Sequence, residues 1–147
     1  MPGKTAALVL GLLALAAMTS PIAAQKERQT KTRIAEADSA LVGDWRGDSI
    51  CVVRESACHD EDSLYHVSKV PDKAGLFSLK ADKIVDGKPI TMGTTECSFD
   101  PKQSTLQCAI SNGSLFRFSV EGNAMLGTMT LADKRLWRKI TLKKVGS

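Results

Sequence analysis

The densest group of side chains able to do chemistry is His59-Asp60-Glu61-Asp62, between Cys58 and Ser63. Closely spaced carboxylates in a loop can hold calcium, a hard cation that takes about six to eight oxygens. This run lacks the glycine and the ligand spacing of a calcium loop. It reads as a solvated acidic loop at the rim of a fold, with Glu61 able to turn back onto a basic residue such as Arg54. The only histidines are His59 and His66. Neither belongs to a nucleophile–base–acid set, and His66 falls on the outer face of a candidate strand. The residues therefore point to no catalytic site, no metal and no cofactor, and the chain is expected not to be an enzyme.

Four cysteines carry the remaining reactive chemistry: Cys51, Cys58, Cys97 and Cys108. In a small exported chain they argue for two disulfides. Three pairings are open. Cys51 with Cys58 and Cys97 with Cys108 is preferred, because each pair brackets one connection between candidate strands. Zinc would need closer cysteine spacing and both histidines. Two further motifs have plain readings. Arg46-Gly47-Asp48 has the composition of an adhesion triplet but lies within a strand, where Gly47 shares the parity of Trp45. Asn112-Gly113-Ser114 matches a glycosylation acceptor, yet needs only to be a tight turn.

Charge narrows the partners. The net charge is +4, and +3 without Lys4. Lys134, Arg135, Arg138, Lys139, Lys143 and Lys144 crowd the last candidate strand. Such a strip can attract an acidic partner, but here it reads as a solvated face. No nucleic-acid motif or aromatic-studded basic sheet accompanies it, so nucleic acid is not an expected partner.

These residues must be positioned by elements that begin after a targeting segment. Lys4, the apolar run from Ala6 to Met18, and the small residues before Gln25 have the anatomy of a secretory signal peptide spanning residues 1–24. The run is short of the roughly 20 apolar residues a spanning helix needs, so the mature chain is expected to carry no integral membrane segment. Its alanine-rich style suggests a bacterial host, with the product secreted or periplasmic. Residues 25–40 are polar and read as a flexible leader, with one or two helical turns open to Ile34 through Leu41. Residues 41–147 form one domain.

From Leu41 the hydrophobic pattern has period two, with turn residues at short intervals. Candidate strands fall near 42–54, 63–70, 75–85, 88–99, 104–111, 114–120, 124–132 and 135–145. Asp86-Gly87 and Asn112-Gly113 are tight-hairpin signals. Gaps this short make neighbours antiparallel. In the fourth candidate strand the apolar parity switches between Met92 and Cys97, which a bulge near Gly93 would reconcile. Within the last strand Leu136, Arg138, Ile140 and Leu142 share one parity, and Trp137 faces away. Eight such strands hide their edges best by closing into an all-β, antiparallel up-and-down barrel. A two-sheet β-sandwich is the alternative.

Gly43-Asp44-Trp45, at the start of the first candidate strand, resembles the Gly-X-Trp of the lipocalin-like, or calycin, eight-stranded barrels, and the strand order resembles theirs over residues 41–145. The family's Thr-Asp-Tyr turn is replaced here by Val120-Glu121-Gly122-Asn123. The resemblance implies that Trp45 plugs the closed end. Arg138 is the candidate, by type, for the family's arginine that packs on that tryptophan.

The inward set is then Trp45, Ser49, Tyr65, Val67, Phe77, Leu79, Leu106, Ile110, Phe116, Phe118, Met125, Met129, Leu136 and Ile140. Of these, Trp45, Ser49, Tyr65, Phe77, Phe116, Phe118, Met125 and Met129 are the candidate ligand-binding residues. An eight-stranded barrel is just wide enough to be filled by side chains or to hold one small guest. The expected function is non-enzymatic binding of a small apolar or amphipathic ligand. The alternative is a proteinaceous inhibitor of an exported hydrolase, acting through the leader or the 54–62 loop.

Overall fold

Short turns leave the chain after Leu41 little choice but to run back beside the segment just completed. In the computed structural model, which describes residues 21–53 and 57–146, one helix precedes eight strands. They are α1 (Pro21–Leu41), β1 (Gly43–Cys51), β2 (Glu61–Lys69), β3 (Leu76–Val85), β4 (Lys88–Asp100), β5 (Thr105–Ala109), β6 (Leu115–Glu121), β7 (Ala124–Thr130) and β8 (Leu136–Val145). Each strand pairs antiparallel with its sequence neighbour. β1 also pairs with β8, from Asp44↔Val145 to Cys51↔Arg138, which closes the sheet. The fold is the up-and-down barrel, not the sandwich. Among the described residues no helix is long and apolar enough to cross a membrane.

Local chemistry accounts for the corners. Asp86 and Gly87 both take positive φ, 52° and 77°, as the hairpin turn at that position requires. Between β3 and β4 the register runs Ala81↔Gly93 and then Asp82↔Thr91. Met92 is the extra residue, and this bulge is what reverses the apolar parity along β4. Both disulfides have the expected pairing, Cys51–Cys58 and Cys97–Cys108. The second joins residues directly opposite each other on β4 and β5.

Residues 25–40, expected as a polar leader with helical turns open to Ile34 through Leu41, are helical throughout. They belong to α1, which is continuous from Pro21 to Leu41. Pro21 suits a first helical position, and the Ala, Lys, Arg, Gln and Glu that follow are good helix formers. The expected cut after Ala24 falls inside this helix, while residues 1–20 of the expected signal peptide lie outside the described residues. Residues 21–36 of α1 are exposed; Leu41 is fully buried, and Ala37 packs against the barrel core.

The join between α1 and the barrel explains the Gly-X-Trp. Trp45 is fully buried and its Nε1 donates to the Leu41 carbonyl at 3.0 Å. Lys144 Nζ lies 5.4 Å from the centre of the Trp45 ring and donates to the Ala40 carbonyl at 2.6 Å. Two of the carbonyls left unpaired at the helix C-terminus are thereby satisfied, and a cation sits at the negative end of the helix dipole. Gly43 takes φ +134°, and a Cβ there would come within 2.9 Å of Lys144 Cε. The residue over the tryptophan is thus Lys144. Arg138, the candidate by type, lies six residues back along β8, toward the opposite end of the barrel.

Candidate functional site

Alternation along each strand sends one row of side chains inward, and the rows meet differently at the two ends of the barrel. At the α1 end they interlock. Trp45, Phe77, Phe118, Met125 and Leu142 are each 0–1% exposed. Phe77 meets Phe99 edge to face at 5.9 Å, a favoured aromatic geometry. Four of the eight candidate ligand-binding residues, Trp45, Phe77, Phe118 and Met125, are therefore packed in the core and are not part of the lining of the cavity in the opposite half.

The other four, Ser49, Tyr65, Phe116 and Met129, line a cavity of about 800 Å³ in the opposite half. Its apolar walls also include Leu79, Ala81, Ile110 and Trp137. Val67, Leu106 and Ile140 from the inward set are buried in the core, and Leu136 is half-buried. Trp137 corrects the expectation that it faces away. A register shift separates Met129↔Arg138 from Thr130↔Leu136, so Trp137 is the bulged residue and turns to the cavity. Strict alternation cannot foresee this, because one extra residue re-aims a side chain.

Polar groups cluster on one wall. Arg138 Nη2 lies 3.2 Å from Glu61 Oε1, with the side chains only 12% and 21% exposed. Arg138 Nη1 donates to the Ser49 carbonyl and to Ser49 Oγ, both at 3.2 Å. Glu61 thus pairs with a basic residue of the barrel, Arg138; Arg54, the example named from the sequence, lies outside the described residues. Tyr65 stands next to this pair, edge to face with Phe116 and Phe118 at 6.3 and 6.1 Å. Burial pushes its hydroxyl up to about 12, while the nearby Ser63 and Ser49 hydroxyls and Arg138 pull the other way.

The acidic run of residues 59–62 is dispersed by the strand it enters. Asp60 Oδ1 accepts from the Cys51 N–H at 2.8 Å. Glu61 points into the barrel to Arg138, and Asp62 points out, where Arg46 binds both its oxygens at 3.1 and 2.7 Å. Successive residues on opposite faces cannot enclose one ion. The basic strip is divided in the same way: Arg138 and Lys144 serve opposite ends of the interior, Arg135 pairs with Asp133 at 2.6 Å, and Lys139 and Lys143 are exposed.

On the outer wall His66 lies between two carboxylates. Nδ1 is 2.7 Å from Asp44 Oδ1 and Nε2 is 3.1 Å from Asp82 Oδ2. The two ring nitrogens point apart, so this trio cannot share one metal. Among the described residues no group of three or more His, Cys, Asp or Glu side chains has metal-binding geometry. Burial would raise the Asp82 carboxyl, but hydrogen bonds from Thr91, Lys80 and His66 together hold it below the usual carboxylate range.

The remaining motifs are structural. Gly47 sits mid-strand in β1, and a Cβ there would run into the Thr141 carbonyl of β8. Its smallness therefore lets the closing strand approach. Asn112 Oδ1 accepts the Ser114 N–H at 2.9 Å, bracing the β5–β6 turn.

No model of a known protein family matches the chain, and no curated protein does. The eight-stranded, all-antiparallel topology is consistent with a calycin-like fold.

Proposed function

We propose that this chain is an exported, lipocalin-like, non-enzymatic binding protein that carries a small amphipathic molecule in the open half of its barrel. One observation carries the reading: a cavity of about 800 Å³ behind a packed core, with apolar walls and one polar corner. That size and lining are those of small-molecule sites, where apolar walls supply affinity and a few polar groups fix orientation. Two disulfides fit an oxidising compartment. Fold alone would not support a binding role, since barrels host many functions; the cavity supports it.

Native mass spectrometry of protein isolated from its own host tests the reading, alongside binding of the uncharged dye Nile red. A co-purifying small molecule, displaced by the dye, is the expected result. Protein with no guest and no dye binding ends the proposal.

A second reading draws on α1, whose residues 21–36 are exposed, and on the Cys51–Cys58 bridge; of the 54–62 segment, residues 54–56 lie outside the described residues. Either could present a segment to an exported hydrolase and inhibit it. Pull-down from the host's secreted fraction, followed by an inhibition assay on what is recovered, discriminates the two.

A further inference from the structure

Resting on the carrier reading, we infer that the guest's polar end is an uncharged group that both donates and accepts hydrogen bonds, an alcohol or primary amide, seated at the Glu61–Arg138 pair.

The charges inside the cavity decide this. Among the described residues its charged lining is Glu61, Glu96 and Arg138. Glu96 lies one position off the inward row of Thr95 and Cys97, and its carboxylate binds Lys73 at 3.1 Å. Inside, Glu61 and Arg138 remain, 3.2 Å apart, and their charges cancel. Arg138 is further fixed by Ser49, through both its carbonyl and its hydroxyl. The guanidinium is therefore already engaged by a carboxylate on the protein.

A fatty carboxylate has two ways to reach Arg138. It can displace Glu61, which leaves a part-buried carboxylate without its partner. It can instead lie beside Glu61, which sets two like charges together in a confined, weakly screened space. Both are costly. A hydroxyl or amide meets neither cost. Its oxygen accepts from an N–H of Arg138, which has five such donors, and its O–H or N–H donates to Glu61. The pair stays intact and gains hydrogen bonds to charged groups, which are stronger than neutral ones. The apolar chain runs along Leu79, Phe116, Met129 and Trp137, and contributes equally for any head group of one chain length.

The test is displacement of Nile red from the full, disulfide-intact protein at neutral pH by dodecanol, dodecanamide and dodecanoate, each below its own aggregation threshold. The alcohol and the amide should displace the dye at concentrations at least about tenfold lower than the carboxylate, the ratio that corresponds to about 1.4 kcal/mol. Glu61→Gln removes the competing charge and should narrow or reverse the ratio in favour of dodecanoate. Equal or tighter binding of dodecanoate to the parent overturns the inference while leaving the carrier reading standing. So does an unchanged ratio in a folded Glu61→Gln protein. Failure of the dye and all three compounds to bind removes the carrier reading itself. The ranking on the parent protein decides the matter even if the variant does not fold.

Discussion

Raising the pH interrogates the cavity wall through one residue. Tyr65 is the chain's single tyrosine, is 1% exposed, and packs edge to face against two phenylalanines. Burial pushes its hydroxyl from 10.0 to about 12. In the unfolded chain it ionises near pH 10. Between those values the unfolded state holds fewer protons than the folded state, so stability declines as pH rises. The contribution is fully present below about pH 10 and is lost by about pH 12. At about 1.4 kcal/mol per pH unit, the gap from 10.0 to about 12 amounts to about 3 kcal/mol. Near-ultraviolet absorbance of the phenolate reads the titration directly, with Tyr65→Phe as the blank. The native protein should titrate well above the urea-unfolded protein, and Tyr65→Phe should lose less stability in alkali than the parent. A native midpoint near 10, with the barrel's circular dichroism unchanged, refutes the assignment of Tyr65 to a dry wall.

Three more outcomes are expected. Limited reduction followed by alkylation and peptide mapping should label Cys51 and Cys58 first, because Cys58 is half-buried whereas Cys97 and Cys108 are 1% and 0% exposed; simultaneous labelling contradicts this. Gly47→Ala should cost about 1–3 kcal/mol in denaturant unfolding through overpacking against the Thr141 carbonyl, and a parent-like midpoint would show that β8 yields there. Asp62, Asp82 and Asp133 all have carboxyls held below the usual range. Their stabilisation is therefore present above the unfolded carboxylate value of about 3.9 and is lost as pH falls through the lowered folded values. Denaturant midpoints should drop on acidification, and Asp82→Asn should make that drop smaller.

Much of this molecule is written locally. Period-two alternation sets which face of each strand is apolar, and a turn dipeptide such as Asp86-Gly87 selects its own backbone geometry, so strand order, antiparallel pairing and both disulfides follow from short-range chemistry. The bulge at Met92 was legible too, because the parity of Ile90 and Met92 conflicts with that of Cys97 and Phe99. Four features were not legible. Trp137 enters the cavity because the β7–β8 register slips at Thr130, with no conflicting parity to betray it. Glu61 meets Arg138, and Lys144 meets Trp45, because β1 and β8 hydrogen-bond to each other across almost the whole chain. Whether the lumen is packed or empty depends on how inward rows of unequal bulk meet at each level. Local pattern decides which way a side chain points; only the closure register of the barrel decides what it finds there.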